Sequence, residues 1–361
     1  MSFDRRAVSA TRLAWVDAAR GVCVLLVVLL HVRIFVYAPL APPSNGIEIW
    51  TQLTEFFGAF RLPLLFVVSG LVASRRVRAG WSDRRTVLRA VSLSWLYVVW
   101  LTVYAVLSIV VIDPGVPFRV MTPLHYLEQL FVPDSMLWFI FALAAYVVVL
   151  SSLNRVPPAA ILGVLAVLAV ASGALPVTRD EALWLHVVYY AVFFAVGVYG
   201  SSVLTLLAGV RSLIGLALGV VSFMAFELMW QLSVEGTVIE TGLRLLRDGA
   251  AVAVSIVLIS LLVRWRPFDR VASAVGRRTL PIFVLQLPLI WALFLLPPVE
   301  WSLEFAPVRY LAPVLGTALI VLAALGIHRL IVRGPARVLF ALPEAWRTRI
   351  LHGAARGVLG R

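Results

Sequence analysis

The 361-residue chain has one cysteine, five histidines and no lysine, and only 14% of its residues are charged. Cys23 has no second cysteine to pair with, so a disulfide framework and a cysteine-based metal site are excluded. All 31 basic residues are arginine, which reads as the base composition of a GC-rich genome and not as mechanism. No phosphate-cradling glycine loop, His-x-x-x-His metal pair or Gly-x-Ser-x-Gly elbow stands in a credible context. The N-terminus lacks a short apolar segment with a small-residue cleavage site, and its first apolar run is long enough to remain in a membrane. There is no internal repeat.

What the chain does have is apolar residues. They make up 62% of it, with a mean hydropathy of +0.99, which implies an all-α, polytopic membrane protein. Ten spans are expected, near 13–37, 51–73, 87–112, 135–152, 159–175, 183–203, 212–232, 245–263, 279–296 and 309–332. An isoelectric point of about 11.0 would suggest nucleic acid in a soluble protein. Here the arginines cluster between alternate spans instead, so no nucleic-acid partner is expected. Arg5, Arg6 and Arg12 precede the first span, and Arg75, Arg76, Arg78, Arg84, Arg85 and Arg89 follow the second. Arg264, Arg266, Arg270, Arg277 and Arg278 lie before the ninth, and Arg333, Arg337, Arg347, Arg349, Arg356 and Arg361 follow the tenth. The other connections hold Glu48, Asp113, Asp134, Asp180, Glu181, Glu235, Glu240, Glu300 and Glu304. By the positive-inside rule, both termini are expected to be cytoplasmic in a plasma (inner) membrane. Residues 1–340 are expected to form one transmembrane domain, and 341–361 a short basic tail on the anionic membrane surface. The longest outer connection, 113–134 with Pro114, Pro117, Pro123 and Pro133, is too short for a further domain.

Ionisable residues at membrane depth cost about 2.5–3.5 kcal/mol or more, which makes them candidate site residues. Arg20 and His31 are eleven residues apart, about 1,100° of helix and about 16 Å of rise, so they share one face. Asp17 can pair with Arg20 on the helix surface. His31 suits general base work near neutrality; its alternative is a packed interhelical hydrogen bond. Glu55 is expected at the depth of His31 and Arg61 near mid-membrane, as a structural ion pair or as site residues. The arginine run 75–89, with Arg75, Arg85 and Arg89, and Arg277 and Arg278 at the start of the ninth span carry the topology signal and could also dock a phosphorylated donor. Trp138 could stack on a sugar or belong to an interfacial belt. Ser69-Gly70 reads as helix packing, Glu227 as a lone acid and His125 as solvated.

These residues resemble the membrane-bound acyltransferase-3 family of ten-span O-acyltransferases. Trp15-Val16-Asp17-Ala18-Ala19-Arg20-Gly21 through His31 is similar to the family's opening signature. Phe60-Arg61-Leu62-Pro63 through Ser69-Gly70 looks like its second-span motif. Leu137-Trp138-Phe139, Phe193-Phe194-Ala195-Val196-Gly197 and Gly276-Arg277-Arg278-Thr279-Leu280-Pro281-Ile282-Phe283 resemble later motifs, and Gly334-Pro335-Ala336-Arg337 the ending of actinobacterial members. Two positions depart from the pattern: Gln286 and Arg61 stand where many relatives carry His. The resemblance implies a cytosolic acyl-CoA as donor co-substrate, acetyl-CoA foremost, with no bound cofactor and no metal. Its phosphates would meet Arg20 and the docking arginines. His31 would act as base on a hydroxyl of a glycan, glycolipid or cell-envelope polymer, Glu55 would orient the imidazole and Arg61 would stabilise the oxyanion. Trp138 and Gln286 would meet the acceptor. An exporter of a lipid or glycoconjugate is the alternative, against which stands the lack of paired broken helices in two halves.

Overall fold

This computed structural model describes residues 5–111, 115–120, 122–173, 175 and 183–352, with side chains from residue 14 onward. Every regular element among them is helical. The side chains of Arg5, Arg6 and Arg12, and residues Asp113, Pro114, Asp180, Glu181, Arg356 and Arg361, lie outside the described residues, as does the end of the expected basic tail.

The first apolar run forms α1 (Arg5–Val32), which widens without a break into a π-helical turn at Arg33–Tyr37 and closes with α2 (Ala38–Leu40). Pro42 and Pro43 end it. The chain returns as α3 (Asn45–Phe56) and α4 (Gly58–Ala79), and α5 (Arg84–Val110) follows, with Asp83 capping its N-terminus through the Arg85 N–H. The connection expected as a loop contains α6 (Pro123–Gln129), capped by Thr122. Next come α7 (Trp138–Ser152), α8 (Pro158–Gly173), α9 (Leu183–Tyr199), α10 (Ser201–Gly209), α11 (Leu213–Gln231) and α12 (Val238–Leu262). The chain continues through α13 (Arg266–Gly276), α14 (Thr279–Phe294), α15 (Pro297–Glu304), α16 (Ala306–Ile331) and α17 (Glu344–His352).

Six of these helical stretches are long and apolar enough to cross a membrane, and eight if two bent pairs each count as one. The pairs are α9–α10, bent by 79°, and α13–α14, bent by 71°. The shorter apolar helices α7 and α8 coincide with the remaining two expected segments. The molecule is a multi-pass membrane protein.

Two glycine pairs set the closest helix approaches. A Cβ on Gly70 would fall 2.1 Å from the Phe194 carbonyl oxygen, and one on Gly197 2.0 Å from that of Val67, so α4 and α9 touch backbone to backbone. Gly21 and Gly276 do the same for α1 and α13, with would-be Cβ distances of 2.0 Å to the Ala272 oxygen and 1.7 Å to the Asp17 oxygen. Ser74 adds a hydroxyl bond to the Val198 carbonyl. These contacts hold α4 against α9 and α1 against α13, toward the arginine-bearing ends of α1, α4 and α13. At the same end, Arg84 reaches the Leu351 carbonyl and Trp95 that of Val338, so α17 lies against α5.

Candidate functional site

His31 occupies the last turn of α1, two residues before the π-helical turn. Its Nδ1 lies 3.1 Å from Oε1 of Gln286 on α14. A carbonyl oxygen only accepts, so Nδ1 carries the proton and Nε2 is left with a free lone pair. Gln286 is fully buried, and its Nε2 amide has no hydrogen-bond partner among the described residues. A buried donor held open costs about 1–3 kcal/mol; the pair therefore offers a base and an unspent N–H side by side. The position of Gln286 is fixed by a local defect. Pro288 cannot donate to the Val284 carbonyl, and the Tyr104 hydroxyl takes that carbonyl at 2.9 Å, tying α14 to α5 two residues from Gln286.

Arg20 projects from the same face of α1, toward the arginine-rich end, and donates to the Thr279 hydroxyl at 3.1 Å. Both residues line a cavity of about 180 Å³ together with Arg76, Arg89 and Ser69. Its inner wall is apolar and includes Val24, Phe139 and Phe283. Val24 lies seven residues, about 10 Å of helix, from His31, and Phe283 one turn from Gln286. Three guanidiniums at the mouth of an apolar slot suit an anionic, phosphate-like head with a slender arm.

A second cationic group stands beside His31, away from that cavity. Arg61 donates through Nη1 to the Thr54 carbonyl at 2.5 Å, and Arg33, in the π-helical turn, donates through Nε to the Thr54 hydroxyl at 3.1 Å. Arg61 Nε is buried without a hydrogen-bond partner among the described residues. Arg61 is also near enough to His31 to act on it electrostatically.

Several expectations need correction. The hydrogen-bond partner of His31 is Gln286, not Glu55, because Glu55 faces outward on α3. Glu55 acts on Arg33 and Arg61 as a counter-charge instead. Asp17 forms its ion pair with Arg277 at 3.9 Å, while Arg20 turns to Thr279. Of the expected donor-docking arginines, Arg20 and Arg89 line the cavity, whereas Arg75, Arg85, Arg277 and Arg278 are exposed around its end of the bundle. Trp138 is half-buried and stacks on Tyr190, with His186 5.3 Å away, so it belongs to an interior aromatic cluster. His125 is not simply solvated; it meets Gln129 at 2.9 Å and Asp134 at 3.4 Å.

Glu227 is not alone either. It pairs with Arg247 at 3.5 Å, and Arg247 binds Asp248 through Nε and Nη2 at 3.0 and 2.8 Å. Tyr189 donates to Asp248 at 2.9 Å, and Arg247 lies over the Trp230 ring. This buried network joins α9, α11 and α12. Sequence reasoning passed over Arg247-Asp248 and over Arg33; Arg76, within the expected docking run 75–89, lines the cavity. The signal was available for Arg33, a cation inside an otherwise apolar span.

A family model described as an acyltransferase domain (Acyl_transf_3) matches residues 13–331. No curated protein and no solved structure matches the chain.

Proposed function

The chain belongs to the acyltransferase-3 family, and from that membership we propose that it carries an acyl group from cytosolic acyl-CoA to a hydroxyl on the far side of the membrane. The reading takes the arginine-rich end as cytosolic, in the plasma membrane, with both termini there. The CoA phosphates bind Arg20, Arg76 and Arg89 at the cavity mouth, and the exposed Arg75, Arg85, Arg277 and Arg278 raise the local donor concentration. Acetyl-CoA is the first donor to test. The pantetheine arm extends past Val24 and Phe283 toward His31.

His31 Nε2 takes the proton of the acceptor hydroxyl as its oxygen attacks the thioester carbonyl. The carbon–sulfur bond then breaks, and the proton passes to the departing thiolate, giving an ester and free CoA. Gln286 Oε1 holds the imidazole in the tautomer this requires, the orienting role a carboxylate plays in a triad. Gln286 Nε2 and Arg61 are the donors available to the oxyanion. The acceptor is a sugar, glycolipid or cell-envelope polymer.

The observation that carries this reading is the His31–Gln286 pair, with its free imidazole nitrogen and free amide N–H, standing above a three-arginine cavity on one helix face. The test is acetyl-CoA-dependent thiol release by purified protein with an envelope extract as acceptor. His31→Ala should lower turnover by about 10²–10⁴-fold in a variant that still folds and unfolds cooperatively on heating. Full activity in that variant overturns the assignment.

A further inference from the structure

A groove distinct from the arginine-lined cavity lies between α1, α4, α12 and α13, with a volume of about 320 Å³. Its walls are apolar side chains such as Leu26, Phe60, Leu258 and Phe268, and among its described lining residues Arg61 alone is charged. Leu258 and Phe56 on its rim are exposed, so it opens sideways to the surrounding lipid. Arg61 Nη1 leaves the groove toward Thr54, where Arg33 binds the same residue. Arg33 lies about 28 Å of helix from Ala14, near the membrane face opposite the arginine-rich end. The two guanidiniums face one counter-charge, Glu55, which leaves a surplus positive charge at the top of an apolar slot.

We propose that this groove binds the acceptor, and that the acceptor is a net-anionic phospholipid with a headgroup hydroxyl, in the leaflet opposite the arginine-rich end. An aliphatic chain occupies the slot, the phosphate bridges Arg33 and Arg61, and a headgroup hydroxyl reaches His31. A neutral lipid would fill the slot but leave the surplus charge unmatched; a soluble anion would match the charge but leave the slot empty. As a binding site the groove stands on its own geometry; as the acceptor site it rests on the acyl-transfer reading above. In the reaction the lipid hydroxyl oxygen bonds to the acyl carbon as the carbon–sulfur bond breaks. Its proton passes through His31 to the thiolate.

The experiment is photolabelling of the full chain in phosphatidylcholine nanodiscs with no acyl donor present. The probes are phosphatidylglycerol and phosphatidylcholine, each with a diazirine in the acyl chain. Labelling of α4 and α12 peptides is expected to favour phosphatidylglycerol by about tenfold, the worth of one charge-assisted hydrogen bond. Arg33→Gln should remove that preference, and Leu258→Trp should reduce labelling by both lipids by filling the slot. Equal labelling by the two lipids in the wild-type protein, or a preference that survives Arg33→Gln, overturns the proposal. Lipid preference without any thiol release would retain the groove and remove the reaction. Acyl transfer to a soluble glycoside with equal labelling would do the reverse.

Discussion

At the scale of single residues, the candidate site is a set of partners that one helix face cannot supply by itself. The eleven-residue spacing of Arg20 and His31 was legible because helical period is a local property. Thr279 and Gln286, which complete the two ends of that face, come from more than 250 residues away; the family resemblance marked their segments, but no local pattern announces that they meet Arg20 and His31. Glu55 was the natural guess for orienting His31, since α3 returns beside α1 and a carboxylate is the usual partner. The α3 register points Glu55 outward, and an uncharged amide serves instead. Gln286→Leu keeps the volume and removes both amide functions. It leaves the His31 Nδ1–H unsatisfied, at about 1–3 kcal/mol, and frees the imidazole to adopt the wrong tautomer. If the amide orients the base, the variant's kcat should fall by about 10–100-fold with KM for acetyl-CoA unchanged, since the donor arginines are untouched. A rise in KM with kcat preserved would instead make Gln286 a binding residue alone.

Helix positions were largely legible, because long apolar runs bounded by charge and proline leave little choice. What escaped was the shape of the breaks. The expected span 183–203 runs across a 79° bend between α9 and α10, the arginine-rich connection before the ninth span contains α13, which meets α14 at 71°, and the π-helical turn that carries Arg33 has no compositional mark at all. Ser69-Gly70 reads as packing, and Gly70 has that role to the limit: its Cα faces the Phe194 carbonyl with no room for a methyl group. Gly70→Ala should therefore force α4 and α9 apart. Overpacking typically costs about 1–3 kcal/mol, and here it also shifts Ser69 in the cavity wall, so both the unfolding temperature and donor affinity should drop. Gly163 on α8 is the matched control, since a Cβ there meets nothing within 4 Å. Gly163→Ala should be neutral or slightly stabilising through helix propensity. Equal effects of the two substitutions, read by thermal unfolding in detergent, would mean that the α4–α9 contact does not limit stability.

At the scale of the whole molecule, the arginines sort into two populations with different consequences. Most of those near the helix ends gather at one end, where Arg84 reaches Leu351 and Arg76, Arg89 and Arg20 share a cavity, while Arg119 and Arg309 lie at the opposite end on the Ser108 and Leu303 carbonyls. Those within the bundle, Arg33, Arg61, Arg244 and Arg247, sit toward the other half, on hydroxyls, carbonyls and carboxylates. The first population was legible as a topology signal; of the second, Arg61 stood out as a charge at membrane depth, but what holds it and Arg33 was not legible, because a buried cation is explained only by the partners the fold brings to it. The sorting makes orientation decisive for chemistry. Acyl-CoA is a cytosolic metabolite, and a cavity of three arginines can receive it only if the arginine-rich end faces the cytosol. Cys23 is buried, so the native chain offers little background for thiol labelling and single cysteines can report each end. In intact cells, a membrane-impermeant maleimide should label Glu235→Cys, in the turn between α11 and α12, and should spare Ser82→Cys, between α4 and α5, until the membrane is permeabilised. The reverse pattern would place the cavity outside the cell. It would then be the donor, and not the fold or the family, that has to be given up, because the same arginines would have to meet an extracytoplasmic anion in place of CoA.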